Sequence, residues 1–454
     1  MLTYELKKAP GMPLYEALYR AIRGDILSGK LEPDRKLPSK RALSEHLEIS
    51  KITVESAYNQ LLAEGYIRSV EKVGYFVEPV ARQNSTPTVC APIPKPKNPL
   101  IDLTGNMPVG FPFSVWSRLQ REVIRDLGEQ LLLPVENRGL WELRKAIADH
   151  LAQFRGMEVD PDCIVIGAGT DFLYNLLIQL LGTDKCYALE EPGYGKIRRI
   201  YTAAGADWVS APMDHQGVRP DCLANAQVLH LSASHHFPTG IITPMSRRQE
   251  LLEWLARDRG RWIIEDDYDS EFRFDAKPVR SMLSLDSMGR VIYMNTFSKS
   301  LAPSIRIGYM ILPPALIEQF QRRLGFYSCT VSCFEQHTLA RFISRGSFET
   351  HINRMRKSYR AIRNRLLELI RNLPVTVLEE DAGLHFIIKV KTNLPDRELT
   401  AQCQQAGLRL RALSSYYHGP VPEQDRGCLV VSYAGLTQGD LQQLEKLVKN
   451  FFSG

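Results

Sequence analysis

Residues Tyr293-Met294-Asn295-Thr296-Phe297-Ser298-Lys299-Ser300 end an apolar run in hydroxyls and one lysine, and Arg306 lies seven residues beyond Lys299. Hydroxyls and a guanidinium around a turn suit a phosphate group. A lysine desolvated near other cations has a lowered pKa and can act as an amine nucleophile. Upstream, Trp262-Ile263-Ile264 runs into three consecutive carboxylates, Glu265, Asp266 and Asp267, followed by Tyr268. Three such acids repel one another unless a cation or a proton is present; the other reading is a loop of solvated acids. Gly167-Ala168-Gly169-Thr170 sits between an apolar run and a helical pattern. Backbone N–H groups at such a helix start can cradle a phosphate, although a glycine-rich turn alone is more often a plain turn. Each piece is modest singly, and their order and spacing carry more weight together.

These groups must be held by regular elements. Short apolar runs at 164–166, 186–189, 228–232, 261–264 and 291–294 alternate with helical patterns such as 140–154, 171–181 and 245–257. Buried runs alternating with helices predict an α/β domain with a mostly parallel sheet covered on both faces. From about residue 313 the pattern changes. Helices are expected over 317–326 and 348–372 and strands over 383–390 and 427–433, which reads as a smaller α+β subdomain.

The chain of 454 residues is long enough for two to four domains. Residues 79–100 carry Pro at 79, 87, 92, 94, 96 and 99 and almost no core-forming material. They read as an extended linker between a module at 1–78 and a large domain at 101–454. In the module, helices are predicted over 14–28, 40–47 and 51–64. Ser39 and Ser50 are N-caps, and Gly65 is a stop. Two short β-type runs, 66–68 and 75–77, flank a turn at 72–74. A short helix, a tight turn and a second capped helix make a helix-turn-helix, and the hairpin makes it winged. Lys51, Thr53 and Glu55 open the third helix with polar side chains suited to a groove and its phosphates. The net charge of +6 is spread thinly, for residues 1–78 hold 12 Lys/Arg against 11 Asp/Glu. Arg35, Lys36, Lys40, Arg41 and Lys51 are nevertheless close in sequence, which reads either as a DNA-facing surface or as a solvated helix face.

The eight cysteines show no CxxC or Cys/His metal spacing and are expected to be free thiols with no metal. The first 13 residues contain Glu5, Lys7 and Lys8 without an apolar stretch and do not read as a secretory leader. No long uncharged apolar run exists, so neither a membrane span nor a membrane partner is expected. The expected location is cytoplasmic.

The words LYEALYRAI, KLPSKRALSEHL, SKITVESAYNQLLAEGYI and GYFV resemble the winged helix-turn-helix of the GntR superfamily. That resemblance implies double-stranded promoter DNA as a partner, with Lys40, Arg41, Lys51, Thr53 and Tyr58 facing it and Gly74 at the wing. Glu48 departs from the family's usual Gly in the turn, and the wing has only one Gly. The words GAGTDFLYNLL, LEEPGYGKI, SHHFPTG, IIEDDYDSEFRF and NTFSKSLAPSIRIGYMILP resemble fold-type I, aspartate-aminotransferase-like enzymes that bind pyridoxal 5′-phosphate (PLP). Together the two halves resemble the MocR/GabR family of bacterial transcription regulators.

The resemblance implies a role for each matching residue. Lys299 would carry the internal aldimine. Asp266 would pair with the pyridine N–H, making the ring an electron sink. Tyr268 would bond the phenolic oxygen, and Tyr194 would stack on the ring. Gly169, Thr170, Thr296, Ser298 and Arg306 would hold the phosphate, and His235 would lie near the phenolic oxygen or the aspartate. The family's C-terminal Arg, which clamps a substrate carboxylate, is replaced by Val430 in the register of strand 428–433. Arg411 ranks first among the nearby candidates for an effector carboxylate. The resemblance further implies a domain-swapped homodimer that senses PLP or an amino compound through Lys299. The alternative is an active aminotransferase with a DNA-binding appendage; a third reading, a large domain serving only as a dimerisation scaffold, is opposed by the intact Lys299.

Overall fold

The computed structural model describes residues 2–4, 13–79, 101–105, 110–272, 279–371, 373–378 and 383–452, with side chains as far as 447. The expected linker, 79–100, lies outside them apart from its first residue. The chain divides into two compact units, Met1–Pro96 and Lys97–Gly454.

In the first unit, α1 (Leu14–Leu27), α2 (Lys40–His46) and α3 (Lys51–Ala63) precede a hairpin of β1 (Ile67–Val70) and β2 (Gly74–Val77). Both serine caps form: Ser39 Oγ accepts the Ala42 N–H at 3.1 Å and Ser50 Oγ accepts the Thr53 N–H at 3.1 Å. Each satisfies a donor that the helix start leaves unpaired. Leu18, Ile22 and Ile26 of α1 pack against Val54, Ala57 and Leu61 of α3, with Leu43, Ile67 and Val77 closing the core. Glu48 takes a left-handed conformation, φ 53°, in the turn between α2 and α3. That backbone costs a non-glycine residue about 1 kcal/mol, so this turn folds without the expected glycine.

The second unit is built on an eight-stranded sheet. Its strands run in the order Ile164–Gly167, Gly308–Ile311, Val291–Thr296, Trp262–Asp266, Val228–Leu231, Cys186–Glu191, Asp207–Asp214 and Gly217–Val218. The five strands from Val291–Thr296 to Asp207–Asp214 are parallel to one another. Gly308–Ile311 and Gly217–Val218 run antiparallel to their neighbours. Alternation sorts each buried strand to two faces: Ile164 and Ile166 enter one core and Val165 the other, and Tyr293 likewise parts from Ile292 and Met294. A smaller antiparallel sheet follows, in the order Val375–Leu378, His385–Val390, Cys428–Ser432 and Arg411–Ala412. Ile101–Asp102 pairs with Leu408–Arg409 and ties the start of the unit to its smaller part. Among the described residues no helix is long and apolar enough to cross a membrane.

Candidate functional site

The sheet register assembles the large unit's site. Thr296 lies opposite Gly308, and Gly308 opposite Gly167. Three strand ends therefore stand side by side, which brings the 167–170 turn, Arg306 and the Thr296–Lys299 segment together. Lys299 sits on the single helical turn Phe297–Ser300, capped by Thr296, whose Oγ1 accepts the Ser298 N–H at 3.2 Å and lies 3.0 Å from Ser298 Oγ. Burial disfavours the charged amine of Lys299 and pulls it down to about 8, against an opposing pull from the Asp269 carboxylate. A lysine in that state holds far more free amine near neutral pH than an ordinary lysine does.

Gly169, φ 83°, opens the helix Thr170–Leu181. A Cβ at this position would fall 2.7 Å from Arg306 Nη2, so the guanidinium lies against bare backbone. Arg306, itself left-handed at φ 50°, donates to Ala168 O and Asp171 Oδ2, both at 3.2 Å. Helix-start N–H groups, a guanidinium and the Thr296 and Ser298 hydroxyls form a cluster of donors fit for a phosphate.

The three consecutive acids are separated by strand alternation. Asp267 points away from Asp266 and accepts Arg155 Nη2 at 2.5 Å and the Tyr293 hydroxyl at 2.7 Å. Glu265 accepts the Met282 and Leu283 N–H groups at 2.8 and 3.1 Å, and burial pushes it up to about 7. Asp266 alone faces the other way. Its Oδ2 accepts the Tyr174 hydroxyl and lies 3.7 Å from His230 Nε2, while His230 Nδ1 is 3.0 Å from the Tyr201 hydroxyl. Its Oδ1 is buried without a hydrogen-bond partner. A buried, unpaired carboxylate oxygen is costly unless a donor completes it.

Tyr268 and His235 come together, with the Tyr268 hydroxyl 3.4 Å from His235 Nδ1, which is 2.6 Å from Asp269 Oδ2. Gly383, φ 60°, lies flat on this histidine: a Cβ there would fall 1.8 Å from His235 Cε1. His236 instead turns towards Glu190, at 3.5 Å, and burial holds that imidazole down at about 3. Tyr194 caps the helix Gly195–Ala203 and leaves its ring half exposed. It borders a cavity of about 40 Å³ also lined by Glu190, Arg198, Trp208, His230 and Tyr416. Arg411 stands directly opposite Val430 across the small sheet, so the two side chains leave the same face. Burial raises the Tyr416 hydroxyl, and the positive charge of Arg411 nearby offsets part of this.

Sequence reasoning missed Tyr174, His230, Tyr201 and Asp269. Only Tyr174, four residues after Thr170 on one helix face, had a spacing signal. The arrangement brings together a buried amine, a buried carboxylate with one unpaired oxygen, a Tyr–His pair and a cluster of donors fit for a phosphate.

In the small unit the polar side chains behave differently. Lys40 Nζ pairs with Glu55 Oε1 at 2.7 Å and Arg41 Nε with Glu45 Oε1 at 2.8 Å. Thr53 Oγ1 is 2.7 Å from Ser50 Oγ. Lys51 is exposed at the start of α3, and Gly74 opens the second wing strand. Tyr58 corrects the expectation that it faces DNA. It is fully buried, stacks edge-on to Tyr75, and donates its hydroxyl to Pro38 O at 3.0 Å, so it belongs to the core.

Comparison with known proteins follows the same division. The bacterial regulatory protein gntR family matches residues 14–77 and the aminotransferase class I and II family residues 98–447. The HTH-type transcriptional regulator YdeL of Bacillus subtilis is 37% identical, covering 99% of this chain and 98% of its own length. The probable rhizopine catabolism regulatory protein MocR of Rhizobium meliloti is 33% identical over 95% of this chain and 92% of its own. The kynurenine aminotransferase structure of Pyrococcus horikoshii superposes with TM-score 0.68 at 22% identity, covering 79% of this chain and 93% of that one. This last likeness is one of fold.

Proposed function

Because the chain belongs to the MocR/GabR-type family of HTH transcriptional regulators, a GntR-family DNA-binding module joined to an aminotransferase class I and II domain, we propose that its large domain senses PLP, or an amino compound, through the amine of Lys299. When bound, that coenzyme supplies an aldehyde that condenses with primary amines and a ring that draws electrons. The residues present fit it. The observation that carries the reading is Asp266 Oδ1, buried and unpaired, on the strand beside the one that delivers Lys299.

Asp266 would accept the ring N–H, with Tyr174 holding its second oxygen. Tyr268 and His235 would hold the phenolic oxygen. Gly169, Thr170, Thr296, Ser298 and Arg306 would grip the phosphate, and Tyr194 would cover the ring face. Arg411, on the same sheet face as Val430, would receive an effector carboxylate. Engaging Lys299 biases the large domain between two states, and only a ligand with different affinity for those states can do so. The reading also takes the chain as a domain-swapped homodimer carrying two DNA modules, matched to spaced half-sites.

DNA affinity of the full chain, measured with and without added PLP, tests this. A PLP-dependent change in Kd that disappears in Lys299→Ala is expected; the same Kd in all four cases contradicts the sensor. The intact Lys299, Asp266 and Tyr268 favour a second reading, turnover of an amino donor with a keto acid, and a coupled assay for product separates the two.

A further inference from the structure

The recognition helix carries one apolar side chain that the fold does not use. Ile52, second in α3, is 74% exposed, whereas Val54, Ala57, Tyr58 and Leu61 of the same helix are 0% exposed. Its polar neighbours are tied to one another: Thr53 to Ser50, Glu55 to Lys40, and Arg41 to Glu45. Among the described residues Lys51 makes no hydrogen bond or ion pair. The first turn of α3 therefore offers solvent one free cation and one isoleucine.

The second helix of a helix-turn-helix enters the major groove by its N-terminal residues. A lysine there can meet a phosphate or a guanine edge. An isoleucine has no donor or acceptor, so it cannot read a hydrogen-bond pattern. The apolar feature that the four ordinary base pairs present in that groove is the thymine 5-methyl group. Resting on the DNA-binding reading, we propose that Ile52 is a specificity-determining residue that packs against a thymine methyl in each half-site, while Lys51 supplies the charge beside it. This assigns part of the operator: one fixed thymine per half-site, at the position α3 reaches with its first turn.

The experiment selects binding sites for the full chain from a randomised duplex pool, with wild type and with Ile52→Ala. The side chain is exposed, so the variant is expected to melt like wild type. Wild type should fix a thymine at one position of each half-site, and Ile52→Ala should lose that preference while keeping the others. Deoxyuridine at that position keeps the hydrogen-bonding edge and removes only the methyl. It should weaken wild-type binding by about three- to tenfold, on the scale of one buried methyl group, and leave Ile52→Ala unchanged. A selected site with no fixed thymine, or an equal response of both proteins to deoxyuridine, overturns the role of Ile52 and leaves the DNA reading standing. Wild type that selects no sequence at all overturns both.

Discussion

The DNA module and the large-domain pocket use their polar groups in opposite ways. In the module, Lys40, Arg41 and Thr53 already hold partners within the same unit, and their setting is partly or wholly wet. In the pocket, Asp266 Oδ1, His230 Nε2 and His235 Nε2 are buried with no hydrogen bond. Water satisfies an exposed group whether or not DNA is present, so the module loses nothing by waiting. A buried unpaired group destabilises the free protein until something fills the site. The contrast fits a large domain that closes around a small ligand and a module that presents a surface.

The sharpest way to break this contrast is Asp266→Asn. With the charge removed, the free protein should be as stable as wild type or more so, because a buried carboxylate with one oxygen left unpaired becomes a neutral amide. Its stabilisation by PLP should fall by about 2 kcal/mol or more, the scale of a charge-assisted hydrogen bond. Thermal melts with and without PLP measure both quantities. A variant that is less stable when free, yet still stabilised by PLP, contradicts the role of Asp266.

A second effect comes from Lys299 itself. Burial holds its amine at about 8 against an ordinary 10.5. Between those values the unfolded chain binds the proton that the folded chain has shed, so stability from this group rises with pH across that window. Compared with Lys299→Met, wild type should be most handicapped below pH 8, and the gap should close towards pH 10.5. Denaturant unfolding of the two proteins across that range checks the sign; a gap independent of pH removes the buried amine.

The smallest effect lies in the module. Tyr58→Phe removes a buried hydroxyl and strands Pro38 O, and should lower stability by about 1 kcal/mol. DNA affinity at a temperature where both proteins are folded should not change. A loss of affinity without a loss of stability would return Tyr58 to the DNA-facing surface.

Much of this was legible in the sequence where one local rule decides. Ser39 and Ser50 sit at helix starts, Gly65 follows the end of α3, and the 164–166 and 291–294 runs are strands buried on both faces. The resemblance puts Tyr58 on the DNA face, although it falls on the inward stripe of Val54, Ala57 and Leu61. Spacing alone could not choose Asp266 over Glu265 and Asp267, since all three adjoin. Side-chain alternation at the strand end makes the choice, by sending Asp267 to Arg155 and Glu265 to the Met282 backbone. His230 lies in an apolar run and reads as core until the neighbouring strand brings Asp266 beside it. Such contacts depend on sheet order, which a single sequence does not display.

The central claim is that the amine of Lys299 is the group that takes up the coenzyme. Incubation of the full chain with PLP, reduction with borohydride and peptide mass mapping tests it most directly. The account predicts one stable adduct, on the peptide bearing Lys299, lost in Lys299→Ala. Wild type that takes up no label, or labels surface lysines while Lys299 stays unmodified, would contradict it.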